Sequence, residues 1–188
     1  MSKTRFNYYL GLGSNVGNRT HHINKCLQHL GCVGQIKQTS FLYETKPMYY
    51  EQQSSFLNAA VHIESHLSPP DALRKLKDIE RNVMNRRTEF RNGPRIIDID
   101  ILCGFADSEE IYLLDATHPV HPLEIPHPRI AERNFVLTPL ADILPHYKLR
   151  NQHETVSQLA HKLVANDLDG AHNLIQVLPL NSSAMNSS

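Results

Sequence analysis

The stretch from Gly93 to Leu102 leaves its backbone little choice. Gly93-Pro94-Arg95 is a turn, and from Ile97 onward apolar and acidic residues alternate with a period of two. That period seats Ile97, Ile99 and Ile101 on one face of a pleated strand and Asp98 and Asp100 on the other. Asp is a poor strand residue, so two of them among isoleucines oppose the local propensity, and such conflicts gather at functional sites. Alternate residues of a strand lie about 6.5 Å apart, near enough for both carboxylates to reach one pair of divalent cations. A half-buried edge strand with Asp on its wet face has the same pattern, so the stretch by itself leaves both readings open.

Its neighbours weigh toward chemistry. Just upstream, Arg86, Arg87, Arg91 and Arg95 put four arginines in ten residues, an arrangement suited to a polyphosphate with metal on one side and guanidinium groups on the other. Downstream, Pro126 and Pro128 brace His127 in a turn. A short helix expected from Pro128 carries Arg129 and Arg133 at i and i+4 on one face, a second set of phosphate donors. Either segment taken alone also reads as solvated surface.

The rest of the chain supplies a scaffold. Tyr8 to Gly13 reads as a first strand, followed by a glycine-rich turn over Gly11–Asn18 that matches neither a dinucleotide fingerprint nor a P-loop. Thr20–Leu30 reads as a helix with Ile23, Cys26, Leu27 and Leu30 on its core face and Gly31 in the C-cap position. Ile36–Thr45 is a second expected strand, and the polar loop Lys46–Ser55 after it is long for a strand connection, which suggests binding. In Phe56–Ser65, a third strand, Leu57, Ala59, Val61 and Ile63 form the core face. Phe56 and Asn58 share the opposite one, where a ring and a carboxamide suit a flat heterocycle as well as an ordinary sheet surface.

Ser68-Pro69-Pro70-Asp71 reads as a capping box opening a helix to about Met84, with Leu73, Leu76, Ile79 and Val83 on the core stripe. Glu80 lies off that stripe, a position more often solvated than liganding. Gly104–Pro122 holds an expected hairpin, Glu154–Val164 an amphipathic helix and Asn173–Leu178 a last strand.

With 188 residues the chain is expected to form one domain over 1–150, a helix and strand extension over 151–180 packed on it, and a Ser-rich disordered tail over 181–188. Nineteen basic and nineteen acidic residues cancel, which argues against a nonspecific nucleic-acid binder or a membrane-surface protein. Cys26, Cys32 and Cys103 are an odd number without metal-site spacing and read as reduced thiols. No apolar run approaches the roughly 20 residues that span a bilayer, so a cytoplasmic protein is expected.

Leu12-Gly13-Ser14-Asn15, Tyr43-Glu44-Thr45, Phe56-Leu57-Asn58, Gly93-Pro94-Arg95 with Asp98-x-Asp100, and Ile125-Pro126-His127-Pro128-Arg129 leading to Arg133-x-Phe135 occur in this order. In combination they resemble the 6-hydroxymethyl-7,8-dihydropterin pyrophosphokinase family over roughly Tyr8 to Ile143. The resemblance implies an α+β, ferredoxin-like sandwich with a mainly antiparallel sheet covered by helices. It implies transfer of pyrophosphate from ATP to the pterin hydroxymethyl oxygen, leaving AMP, in folate biosynthesis. By the same resemblance Asp98 and Asp100 hold two Mg2+ ions, and Arg87, Arg95, Asp98 and Asp100 form the catalytic set. ATP is bound by Glu80, Arg86, Arg87, Arg95, His127 and Arg133, and the pterin by Thr45, Met48, Phe56, Asn58 and Phe135. Other folate-pathway enzymes are the implied partners.

Two departures stand out. Where the family commonly carries Gly-Arg after the second helix and Trp just before Gly-Pro-Arg, this chain has Met84-Asn85 and Asn92. Arg86 is expected to stand in for the missing arginine, giving an active enzyme whose loop closure differs. Two other classes stay open on the sequence: a catalytically silent nucleotide- or pterin-binding module, and a metal-dependent nuclease or sugar-nucleotide transferase built on the Asp pair.

Overall fold

Strand β1 (Phe6–Ser14) lies inside the main sheet and is buried from both sides, with Tyr8, Leu10 and Leu12 in one core and Tyr9 in the other. The computed structural model describes residues 4–87, 90, 92–116, 122–150 and 152–165, and the backbone of 175–179. After β1 come α1 (Arg19–His29), β2 (Gln35–Thr39), β3 (Phe41–Thr45), β4 (Phe56–Ser65), α2 (Pro69–Asp78), β5 (Asp98–Ala106) and β6 (Glu109–Glu110). Then follow β7 (Leu113–Asp115), β8 (Leu123–Ile125), α3 (Asn134–Ile143), α4 (Val156–Ala165) and β9 (Ile175–Pro179). The main sheet runs β6-β5-β1-β4-β3-β9, with β2 also on β4, and β7 and β8 form a separate ribbon. Every pairing is antiparallel.

The fold is thus the expected α+β sandwich. On one face α1 and α2 bury Ile23, Cys26, Leu30 and Leu76 against Tyr8, Leu10, Val61, Ile63 and Ile99. On the other, α3 and α4 bury Leu137, Leu140, Val156 and Leu159 against Tyr9, Ala60, Leu102 and Cys103. Asp142 fastens α3 to the sheet, accepting from Tyr43 Oη at 2.8 Å and from the Phe41 N–H at 3.0 Å. This second helical layer covers only part of its face, and the uncovered part holds the site.

Several local expectations are corrected. Gly11 and Gly13 lie inside β1, and the turn is confined to the residues after Ser14, where Gly17 takes φ 59°. Helix α1 does not end on a left-handed Gly31 but tightens into a 3-10 turn over Leu30–Cys32, in which the Val33 N–H reaches Leu30 O at 2.8 Å. The single strand expected over Ile36–Thr45 is two. Ser40 breaks it, because its Oγ accepts the Ala60 N–H at 2.8 Å and slips the register, so that Thr39 faces Val61 while Tyr43 faces Asn58.

The capping box fails as well: Ser68 Oγ donates to the Asp71 carboxylate at 2.7 Å instead of accepting from backbone. Helix α2 ends at Asp78 and continues as a π turn over Ile79–Val83, closed by Met84 N–H to Ile79 O at 2.9 Å. Arg129 and Arg133 do not share a helix. A 3-10 turn occupies Ile130–Glu132, and Arg133 is extended as the N-cap of α3. Arg91 and the 181–188 tail lie outside the described residues.

Candidate functional site

The register of three adjacent strands builds the floor of the site. Gly13 on β1 faces Asp98 on β5 and Asn58 on β4, and Gly11 faces Asp100 on β5. Neighbouring strands lie about 4.8 Å apart, so the acid and the carboxamide flank a glycine on one level surface. A Cβ at Gly13 would sit 3.2 Å from Asn58 Oδ1, and one at Gly11 would sit 3.1 Å from Leu102. Absence of side chains here, rather than backbone freedom, is what keeps the floor open.

Above this floor is an open cleft of about 820 Å3 counting its mouth. It gathers most of the candidates: Asp98, Asp100, Arg95, His127 and Arg133 together with Thr45, Met48, Phe56, Asn58 and Phe135. Asn58 Nδ2 donates to Thr45 Oγ1 at 2.8 Å, which pins the carboxamide and leaves Oδ1 on the Gly13 side. The Arg95 guanidinium lies 5.7 Å from the Phe56 ring and that of Arg133 lies 5.6 Å from Phe135, so each expected stacking ring carries a cation on its face.

His127 is fixed in tautomer. Its Nδ1 accepts the Arg129 N–H at 3.1 Å, so the ring proton belongs on Nε2, and its own N–H donates to Leu102 O at 2.7 Å. Burial, with help from Arg133 and Arg129, holds its pKa below the usual imidazole value against the pull of Asp100. It is therefore a neutral donor.

Three candidates lie away from the lining. Arg87 is exposed. Glu80, expected to be solvated, is 3% exposed. Its Oε1 accepts from the Ile99 N–H at 2.7 Å and from Lys77 Nζ at 2.7 Å, and its Oε2 accepts from Arg86 Nη1 at 2.5 Å. Glu80 stands four residues after Leu76 and seven after Leu73, so the helical period already brings it to the edge of the buried face, where it meets β5. Arg86 is turned inward too, and the same Nη1 donates to Asp98 Oδ1 at 2.6 Å. Arg95 Nη1 takes Asp98 Oδ2 at 2.7 Å, and Lys77 Nζ stands 3.7 Å from Asp100 Oδ1. Burial works to raise the Asp98 carboxyl, but Arg86, Arg95 and Lys77 outweigh it and hold the group below the usual Asp range.

Lys77 and Tyr49 are residues at the site that motif reading passed over, and Asn15 stood inside the Leu12–Asn15 motif without a role assigned to it. Lys77 was visible as one half of an opposite-charge pair with Glu80 at i, i+3. Buried Asn15 exchanges backbone and side-chain bonds with Arg95, donating its N–H to Arg95 O at 3.1 Å and accepting the Arg95 N–H on Oδ1 at 2.8 Å. Its Nδ2 also holds Gln53 at 2.9 Å, and Gln53 reaches Asn92 O at 3.0 Å, so β1, the 46–55 loop and the Gly-Pro-Arg turn are tied together. Tyr49, in a left-handed conformation with φ 74°, lays its ring 5.9 Å from the guanidinium carbons of both Arg129 and Arg133. Those two cations outweigh burial and lower its hydroxyl pKa.

Asp98 and Asp100 fit a magnesium ion that arrives with phosphate. Mg2+ commonly takes only one or two carboxylates from a protein and completes its shell with phosphate oxygens and water. Both acids face the cleft and Asp100 keeps 39% of its side chain exposed.

The chain is similar to known proteins in sequence and in fold. The family described as 7,8-dihydro-6-hydroxymethylpterin-pyrophosphokinase matches residues 9–145. The folic acid synthesis protein FOL1 of Dictyostelium discoideum is 42% identical over 151 residues, 80% of this chain and 22% of that protein. The 2-amino-4-hydroxy-6-hydroxymethyldihydropteridine pyrophosphokinase of Bacillus subtilis is 39% identical over 137 residues, 72% of this chain and 76% of its own length. In fold, a Plasmodium falciparum HPPK-DHPS crystal structure with pteroate superposes with a TM-score of 0.68 at 20% identity, covering 89% of this chain and 44% of that one. The chain therefore spans about a fifth of its first relative and three quarters of its second.

Proposed function

Because this chain belongs to the 7,8-dihydro-6-hydroxymethylpterin-pyrophosphokinase family, we propose that it transfers pyrophosphate from ATP to 6-hydroxymethyl-7,8-dihydropterin, releasing AMP. The observation that carries the reading is a single cleft with Asn58 and Thr45 at one end of a glycine floor and Asp98, Asp100 and Arg95 at the other. The pterin lies over Gly13, its polar edge read by Asn58 and its rings against Phe56 and Phe135, with Thr45 and Met48 completing the pocket. Arg95, Arg133 and the Nε2–H of His127 receive the phosphates, and Arg87 joins them from the loop. Asp98 and Asp100 hold two Mg2+ ions, which when bound neutralise the triphosphate and orient its β-phosphorus. Catalysis of this kind is positioning and charge neutralisation, and it requires no dedicated protein base. The relative from Dictyostelium, named for folic acid synthesis and far longer than this chain, supports a place beside other folate-pathway enzymes.

The direct test is to incubate the protein with ATP, magnesium and the hydroxymethyl dihydropterin and to measure AMP. No AMP together with retained pterin binding would make the chain a binding module instead. The glycine floor adds a sharper expectation. Gly13→Val puts a β-branched side chain where the pterin would lie, in a strand that tolerates valine. Pterin affinity should fall at least about tenfold while the thermal midpoint moves by only a few degrees. Unchanged affinity would remove Gly13 from the site.

A further inference from the structure

Arg86 occupies the position from which a metal would have to displace something. Its Nη1 bridges two acids, Glu80 Oε2 at 2.5 Å and Asp98 Oδ1 at 2.6 Å, while Arg95 holds the other Asp98 oxygen at 2.7 Å and Lys77 stands 3.7 Å from Asp100. Three carboxylates, Glu80, Asp98 and Asp100, thus face three cations, Lys77, Arg86 and Arg95, and the cluster is neutral. A bare divalent ion gains little from a neutral cluster whose inner oxygens already accept from guanidinium groups.

We propose that Arg86 is a resident counter-ion of Asp98 in the nucleotide-free protein, a positioning residue that holds Asp98 in place and keeps divalent metal off it until a nucleotide arrives. The buried Glu80 gives the guanidinium somewhere to stay when it releases Asp98: Arg86 is 14% exposed in its side chain and Glu80 4%, so the pair need not separate for the outer contact to open. A triphosphate brings anionic oxygens that compete for Arg95 and a metal that outcompetes Arg86 at Asp98. This also accounts for an arginine one place along from the family's usual Gly-Arg without requiring it to reach a phosphate. The nucleotide-driven release rests on the pyrophosphokinase reading, whereas the exclusion of metal from Asp98 in the nucleotide-free protein does not.

The test is Mn2+ binding to the nucleotide-free protein, followed by the loss of the free-ion electron paramagnetic resonance signal. Arg86→Gln keeps a neutral donor for Glu80, and Arg86→Met removes it. Either, once folded, should bind Mn2+ about tenfold more tightly than the wild type. Arg74→Met, which removes one charge from an exposed position on α2, should bind as the wild type does. Wild-type affinity in both Arg86 variants, or equal tightening in Arg74→Met, overturns the proposal. If the Arg86 variants tighten but a nonhydrolysable ATP analogue fails to recruit Mn2+ to the wild type, the counter-ion role stands and the pyrophosphokinase reading is the part in error.

Discussion

Asp98→Asn is expected to lower pyrophosphate transfer by roughly a thousandfold, the scale on which loss of one preorganised electrostatic group in a closed site is felt. The substitution keeps the volume and removes the charge on which Arg86 and Arg95 converge. It also removes one of only two carboxylates on the cleft side of β5. The fold should survive, because Arg86 retains Glu80 and Arg95 retains Gly93 O at 3.2 Å and the Phe56 face. A cost of about 1 kcal/mol is expected for a partly exposed pair.

The pH dependence has a definite sign. Asp98 is held below the ordinary Asp value, so its pairing stabilises the folded protein above that value and the contribution is lost as pH falls through the lowered one. Asp98→Asn should therefore flatten that part of the acid limb of stability. Steady-state AMP formation beside an acid titration of unfolding decides the matter, and turnover within tenfold of wild type would take Asp98 out of the catalytic set.

The largest effect on stability is expected at Glu80. Glu80→Ala leaves the Ile99 N–H, Lys77 and Arg86 without their shared acceptor in a region where Lys77 and Arg86 are each only 14% exposed. Removing one partner of a buried ion pair costs about 3–5 kcal/mol, and for a chain of this size that lowers the thermal midpoint by roughly 10 °C. Glu80→Gln should cost less, since its carbonyl still accepts from Ile99 and Lys77, although its amide then faces Arg86. Denaturant unfolding of both variants gives the comparison. A loss below about 1 kcal/mol for the alanine variant would mean that the three donors find other partners and that the buried acid is not what joins α2 to β5.

These expectations differ in how early they were visible. The faces of β4 and β5 were legible from residues alone, since strand geometry permits only a period of two. Leu57, Ala59, Val61 and Ile63 had to be buried together, and Asn58 had to share a face with Phe56. The core stripes of α1 and α2 followed from the helical period in the same way. Errors clustered where side chains competed with backbone, as at Ser40 and Ser68, and where a helix left its regular period, as in the π turn. Glu80 was misplaced for another reason: it lies at helical spacing from Leu73 and Leu76, and what lets an acid stay buried there is the set of donors from Ile99, Lys77 and Arg86 that only the fold assembles.

The sequence by itself determined that two acids, a carboxamide and a glycine strand would be presented on sheet faces, because backbone pleat decides direction whatever the neighbours are. Only the tertiary structure decided that Gly13 lies between Asp98 and Asn58, since strand pairing and register are long-range choices. Only it sent Arg86 inward to Glu80 and Asp98 and left Arg87 exposed. Adjacent arginines are alike in propensity. Which one is buried depends on where a compensating carboxylate stands, because a guanidinium leaves water only where another part of the fold brings it a charged acceptor.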